Sequence, residues 1–505
     1  MRRGWLIVLL GMVCVAGVQA HVGSPDIYVD SQAGPYRLFI TIRPPLVIPG
    51  VAELEVRSST PGLRSLRAVP IPMTGAGARF APIADNLRAS PEDPQLFTGS
   101  LWMMQPGSWQ VRISADGSAG AGSIAVPVPA AARTTKRMQS GLGAMLAVLG
   151  LFLSSSLVAM VGASVRESRL APGTSPGAME VRSGRTAMRI ASLVVVAALC
   201  GGSLWWNMKA SSYGQEVYKP MQMRAALTSP DILSLHLTDP GWLNDPRWHS
   251  IFTRSVDDLI PDHNHLMHLY VLRQPGLDLV YHLHPRQTGP GEFRLPLPSM
   301  PAGTYQLYAD IVHANGFPET LASKFVLPAS SSGRVLSGDD AVGQSRPWQQ
   351  SSGTTAEFVL PDGYRMHWLG TPHTLHARRP LLFGFSLTEP SGKAPSDMAL
   401  YMGMLGHAAF VRTNGGVFAH IHPSGTISMA AFMLAQEKNS QSLMPEMNMS
   451  EMSTGKHDVL SSTPASLPDQ VSFPYGFPSP GHYRIIVQMK HGQTIETGIF
   501  DATVT

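Results

Sequence analysis

Val280-Tyr281-His282-Leu283-His284-Pro285 and Phe418-Ala419-His420-Ile421-His422-Pro423 are two versions of one strand. In both, apolar residues alternate with histidine and a proline ends the run. That is the pattern of a β-strand carrying two imidazoles on one face, roughly 6.6 Å apart. Working outward, His268 precedes His282 by fourteen residues and His407 precedes His420 by thirteen. A Pro-Ala-Gly-Thr-Tyr turn follows the first copy and Ser-Pro-Gly-His-Tyr the second, and in the strands they open His313 follows Tyr305, and His491 follows Tyr483, at the same interval of eight positions. Such agreement defines an internal repeat of two β-domains, 209–330 and 357–505. Residues 331–356 are rich in Ser, Gly and Gln and read as a flexible linker. The second copy carries an insertion, 429–470, with Met429, Met433, Met444, Met447, Met449 and Met452.

The rest of the chain sets the context. High Gly (48) and Pro (42) with only 14% charged residues suits turn-rich β-domains and membrane segments. A formal net charge of +4, not gathered on one domain, gives no reason to expect a nucleic-acid partner. Residues 1–20 join Arg2 and Arg3 to an apolar run and end in Val18-Gln19-Ala20, the pattern of a signal peptide cleaved before His21. Two uncharged apolar stretches, 138–165 and 190–208, are long enough to span a bilayer, and Trp205 and Trp206 suit its interface. The connecting segment 166–189 holds five arginines against Glu167 and Glu180, which places it in the cytoplasm and both flanking regions outside the inner membrane. Cys14 and Cys200 both lie in apolar segments, so the exported regions carry no thiol.

Residues 21–135 alternate short β-type runs (Tyr36 to Ile42, Ala52 to Arg57, Trp109 to Ile113, Ser123 to Val128) with Pro and Gly turns, as in a small antiparallel sandwich. The stretch Gln105 to Ile113 resembles the terminal strands of FixH/YtkA-type periplasmic immunoglobulin-like domains. The paired His-x-His-Pro and Pro-x-Gly-x-Tyr plan of the repeat resembles a group of uncharacterised bacterial secreted and membrane proteins, which implies an envelope setting but no settled activity. The expected fold class is mainly β: immunoglobulin-like or cupredoxin-like sandwiches joined by two transmembrane helices.

Candidate chemistry is concentrated in histidine, seventeen of eighteen lying beyond residue 230. His282 with His284, and His420 with His422, can face one ion, with His268 or His407 as a third ligand and His313 or His491 as a fourth. Imidazoles without thiolates or clustered carboxylates suit copper, zinc or nickel rather than calcium or magnesium. The competing reading makes them hydrogen-bonded packing residues. Met444, Met447, Met449 and Met452 lie in polar sequence, where neutral soft thioethers favour Cu(I); core packing is the alternative. His21, once exposed by cleavage, offers its α-amino group and Nδ1 to Cu(II), an end that resembles CopC-type carriers and histidine-brace proteins. It lacks their second histidine, so Asp26, Met103, Met104 or a histidine of the C-terminal region would have to complete it.

Gly173-Thr174-Ser175-Pro176-Gly177 matches a nucleophile-elbow pattern without the strand and helix that give it meaning. No catalytic residues are assigned. The sequence therefore points to a membrane-anchored periplasmic protein that binds, sequesters or transfers a metal, copper first and zinc as the alternative. Its expected partners are the inner membrane, the ion and other envelope metal-handling proteins. A non-catalytic envelope module with structural histidines is the second reading and a metal-dependent enzyme the third.

Overall fold

Period-two alternation decides how each histidine strand is used. The computed structural model describes residues 21–22, 26–243, 253–350, 352–372, 374–443 and 467–505. In the first copy, Leu269, Val271, Tyr281 and Leu283 turn into a core shared with a sheet formed by Gln222–Ser229, Ile232–Thr238, Arg286–Gly289 and Glu292–Pro296. His268, Tyr270, Leu272, Val280 and His282 take the opposite face. The second copy does the same: Ala408, Phe410, Ala419 and Ile421 enter its core, while His407, Ala409, Val411, Phe418 and His420 alternate with them on the other face.

Those second faces do not meet water. Tyr270, Leu272, Val280 and Tyr308 pack on Ala409, Val411, Phe418 and Ile486, with the Tyr308 and Phe418 rings stacked at 4.3 Å. The two copies are therefore clamped face to face, and the histidines lie at the edge of the seam. This corrects the expectation of a flexible linker. Ala341–Gln344 forms a strand antiparallel to Leu279–Leu283, and the buried Arg484 guanidinium donates to the Leu277 and Arg346 carbonyls and the Ser345 hydroxyl at 2.7–2.8 Å. Polar composition does not imply mobility where the backbone pairs with a sheet edge.

The chain is mainly β, as the alternation predicts. The N-terminal region is a sandwich of two antiparallel sheets, one built on Ile27–Ala33, Tyr36–Arg43, Gly50–Ser58 and Leu96–Met103, the other on Leu63–Pro72, Gly107–Gly117 and Gly120–Ala130. It is joined to the second copy: the Asp30 and Thr426 N–H groups donate to the Ser424 and Tyr28 carbonyls at 3.0 and 2.9 Å. Gly425 sits in this seam at φ +138°, where a Cβ would lie 1.9 Å from the Tyr28 oxygen, so only glycine fits.

Residues 131–218 form a separate unit of two helices, α1 (Ser140–Glu167) and α2 (Ala178–Gln215). Both are long and apolar enough to cross a membrane, and their large side chains are exposed, including Leu151, Phe152, Leu193, Trp205 and Trp206. They close where both lack side chains; a Cβ on Gly184 would stand 3.0 Å from the Gly162 oxygen. Helix α2 begins well before the apolar span, because Ala178 to Arg189 contains good helix formers and no proline. The connecting segment 166–189 is consequently mostly helical. The start of the insertion also departs from the loop reading: Met429–Leu443 is a helix, α3, whose Leu434 and Ala435 pack on Met73 and Ala125. The Asn439 amide donates to Ser123 Oγ at 3.2 Å.

Candidate metal centre

Two tight turns feed the seam. Asp262-His263-Asn264-His265 closes with reciprocal backbone bonds between Asp262 and His265, and its central residues have positive φ (49° and 70°). Tyr401-Met402-Gly403-Met404 closes the same way, with φ of 50° and 78°. Each leads directly into a histidine strand, at His268 or His407.

The first turn brings two imidazoles that the repeat pattern did not single out. His265 stacks on His284 of its own copy at 3.8 Å. His263 crosses the seam, its ring 5.0 Å from those of both His407 and His422. Two groups result in which the ligand atoms lie within 4.8 Å of one another: His263 with His407 and His422, and His268 with His282 and His284. The groups adjoin, the His268 and His420 rings being 5.4 Å apart and those of His282 and His407 6.3 Å.

Support across the seam is reciprocal. His282 Nδ1 lies 2.8 Å from Gln488 Oε1 of the second copy, and His420 Nδ1 lies 3.2 Å from Asp310 Oδ2 of the first. Asp310 and Gln488 are equivalent, each three residues before the histidine that ends its strand region, His313 or His491. Within each copy the two strand histidines touch, His268 Nδ1 to His282 Nε2 and His407 Nδ1 to His420 Nε2, both at 3.2 Å. A pseudo-twofold axis thus relates the two halves of the centre. It is broken at the Tyr401 hydroxyl, which bonds the Asp339 carbonyl at 2.7 Å and reaches His282 Nδ1 at 3.2 Å, whereas Asp262 stands at the equivalent place in the first turn.

The donor set fits a transition metal. His422 Nδ1–H donates to the Ile427 carbonyl at 3.0 Å, which leaves Nε2 with its lone pair. His284 Nδ1 is held at 2.9 Å by Asp340, itself paired with Arg334. The Nε2 atoms of His263, His284, His407 and His422 are buried without a hydrogen-bond partner. Such orphaned atoms carry a desolvation cost that an ion would remove. Burial, reinforced by neighbouring imidazoles, holds His268, His282, His284, His407 and His420 well below the ordinary imidazole pKa and lowers His422 as well. Neutral imidazole is the form a metal takes.

The other sequence candidates lie elsewhere. His313 is held between Asp258 at 2.5 Å and Glu319 at 3.2 Å, and Glu319 also pairs with buried Arg254 at 2.7 Å. His491 stands between Asp397 and Glu496 at 3.4 and 3.2 Å, near Asp362. Neither joins the histidine centre as a fourth ligand; each sits in a carboxylate group of its own. His21 and Val22 pair in parallel with Val417 and Phe418, at the start of the strand that carries His420. Met103 is buried in the N-terminal sandwich, Met104 is exposed, and Asp26 accepts from the Tyr28 hydroxyl at 3.2 Å. Met444, Met447, Met449 and Met452 lie outside the described residues.

Residues 357–505 match the model of a family described as a domain of unknown function (DUF8832). Comparison with curated proteins found no match. Among solved structures, the chain is similar to a tetra-tandem repeat from the extending region of a large adhesion protein (8% identity, 90% of this chain and 71% of that one, TM-score 0.17). It is also similar to a bacterial ice-binding adhesin (8%, 94% and 99%, TM-score 0.15) and to the BSP domain of a biofilm-associated protein (7%, 97% and 67%, TM-score 0.14).

Proposed function

We propose that this chain is a membrane-anchored envelope protein that binds copper, for sequestration or transfer, in the histidine centre between its two repeats. One observation carries the reading: His263 of one copy meets His407 and His422 of the other with a ring nitrogen of each within 4.8 Å of the others, and the Nε2 atoms of all three are buried without a hydrogen-bond partner. Hydrogen-bonded packing histidines would have both ring nitrogens engaged, as His268 does with His282 and the Asp262 carbonyl. Zinc remains chemically compatible, since a three-imidazole set accepts either ion.

The full chain in detergent, loaded with Cu(II) or Zn(II) and desalted, is expected to retain at least one ion. Its thermal midpoint should rise with free metal, by mass action on the folded state. Protein that retains nothing and shows no shift with either ion would leave the histidines as packing residues of an envelope module.

The placement outside the inner membrane rests on the arginine-rich connection and on two helices of membrane-spanning length. A reporter active only in the periplasm is expected to work when fused after residue 130 or residue 505, and to be silent when inserted near Gly177. Activity at Gly177 would reverse the orientation.

A further inference from the structure

The two turns that feed the centre differ in chemistry while agreeing in geometry. Residues 262–268 and 401–407 follow one pattern of exposure: buried, half-buried, exposed, half-buried, half-buried, then two buried. Their reciprocal backbone bonds and positive φ values also coincide. Superposing the turns puts Met402 at the place of His263 and Met404 at the place of His265.

The reciprocal contacts of Asp310 and Gln488 show that positions in one copy repeat across the seam in the other. His265 lies on His284, so the correspondence between the copies assigns its counterpart Met404 a place beside His422, which belongs to the group with three unpartnered nitrogens. His263 serves the opposite copy, so Met402 falls toward His268 and His284. Met402 and Met404 are only half-buried and belong to none of the cores described above, which weakens core packing as the reason for them.

We infer that Met404 is a fourth donor to the ion held by His263, His407 and His422, making that site three imidazoles and a thioether with a preference for Cu(I). This rests on the metal-binding reading above. Thioether sulfur is soft and neutral, so it strengthens binding of Cu(I) or Ag(I) and adds little for Zn(II). In the first group both ring nitrogens of His268 and of His282 are engaged and only the His284 Nε2 is unpartnered, so one site follows from the geometry rather than two.

The test uses the full chain in detergent with Cu(I), supplied anaerobically against a competing chelator, and with Zn(II) as the reference ion. Met404→Leu, which keeps the volume, is expected to lower Cu(I) affinity by about tenfold or more. It should also remove the sulfur shell from the X-ray absorption spectrum and leave Zn(II) affinity unchanged. Replacing Met444, Met447, Met449 and Met452 by serine should leave that shell in place. Should Met404→Leu retain both the shell and the Cu(I) affinity while His407→Ala loses the ion, the site is real and Met404 is not part of it. If the unmodified chain binds neither Cu(I) nor Zn(II), the metal reading falls together with this one.

Discussion

Alanine at His263 is expected to release the ion bound with His407 and His422, although His263 belongs to the other repeat. Its ring lies 5.0 Å from each of theirs and its Nε2 has no other partner. Loss of outer-shell partners alone costs metal sites about 10–100-fold, so loss of a ligand should cost at least that. Metal content after desalting should fall for His263→Ala as it falls for His407→Ala. His313→Ala, which breaks a contact with Asp258 and Glu319 instead, should leave the metal content as it was while lowering the thermal midpoint. Retention of the ion by His263→Ala would confine each site to its own copy. Independent, additive loss of two ions is what a flexible linker between the copies predicts. The clamped seam predicts coupling, because Asp310 and Gln488 each steady a histidine across it.

The second large effect is the response of the metal-free protein to acid. Six histidines of the centre have folded-state pKa values below the unfolded value near 6.5. The unfolded chain therefore binds more protons below that pH, and stability falls as pH drops from 6 toward 5. Asp310 and Glu496 act in the opposite sense. Burial pushes each up to about 7, so the folded chain protonates them first and gains stability on acidification until the unfolded carboxyls titrate near 4. His313, raised by Asp258 and Glu319 against its burial, is protonated in both states at pH 5 and adds no slope there. Six lowered histidines outnumber the raised carboxyls, so the net effect of acidification over this range is destabilising. Urea melts of the metal-free chain between pH 7 and 5 should show a steep loss, and copper should move the acid transition to lower pH. A flat profile over that range would mean that the imidazoles remain hydrated and that the seam is open in solution.

Sequence reasoning reached the strands because the signal there is periodic. His282 with His284, and His420 with His422, lie on one face of their strands, and His268 and His407 are their neighbours in the sheet. It did not reach the surface on which those faces close. Tyr270, Val280, Ala409 and Phe418 read equally well as the outer residues of two separate sandwiches, and no local pattern distinguishes a face that meets water from one that meets a sister domain. His263 and His265 were missed for a related reason: they sit in a turn, where spacing carries no face. A signal was available in the alignment of Asp262-His263-Asn264-His265 with Tyr401-Met402-Gly403-Met404, both ending three residues before a repeat histidine. Asp339 and Asp340 lie in the Ser-, Gly- and Gln-rich stretch that reads as a linker. Asp340 holds His284, and the backbone of Asp339 takes the Tyr401 hydroxyl, because the following strand pins both against the sheet.

The seam around Gly425 also bears on how such a chain can be made. Tyr28 donates its N–H to the Thr426 hydroxyl, partners 398 positions apart, and the intervening sequence contains both apolar helices. The first sandwich leaves the ribosome long before the strand edge that completes it exists. Until then its Ile27–Ala33 edge lies open, a template for pairing with any other extended chain. Under the proposed membrane topology, a chain whose two apolar helices crossed once rather than twice would leave the two halves of this seam on opposite sides of the bilayer, each with an unpaired edge.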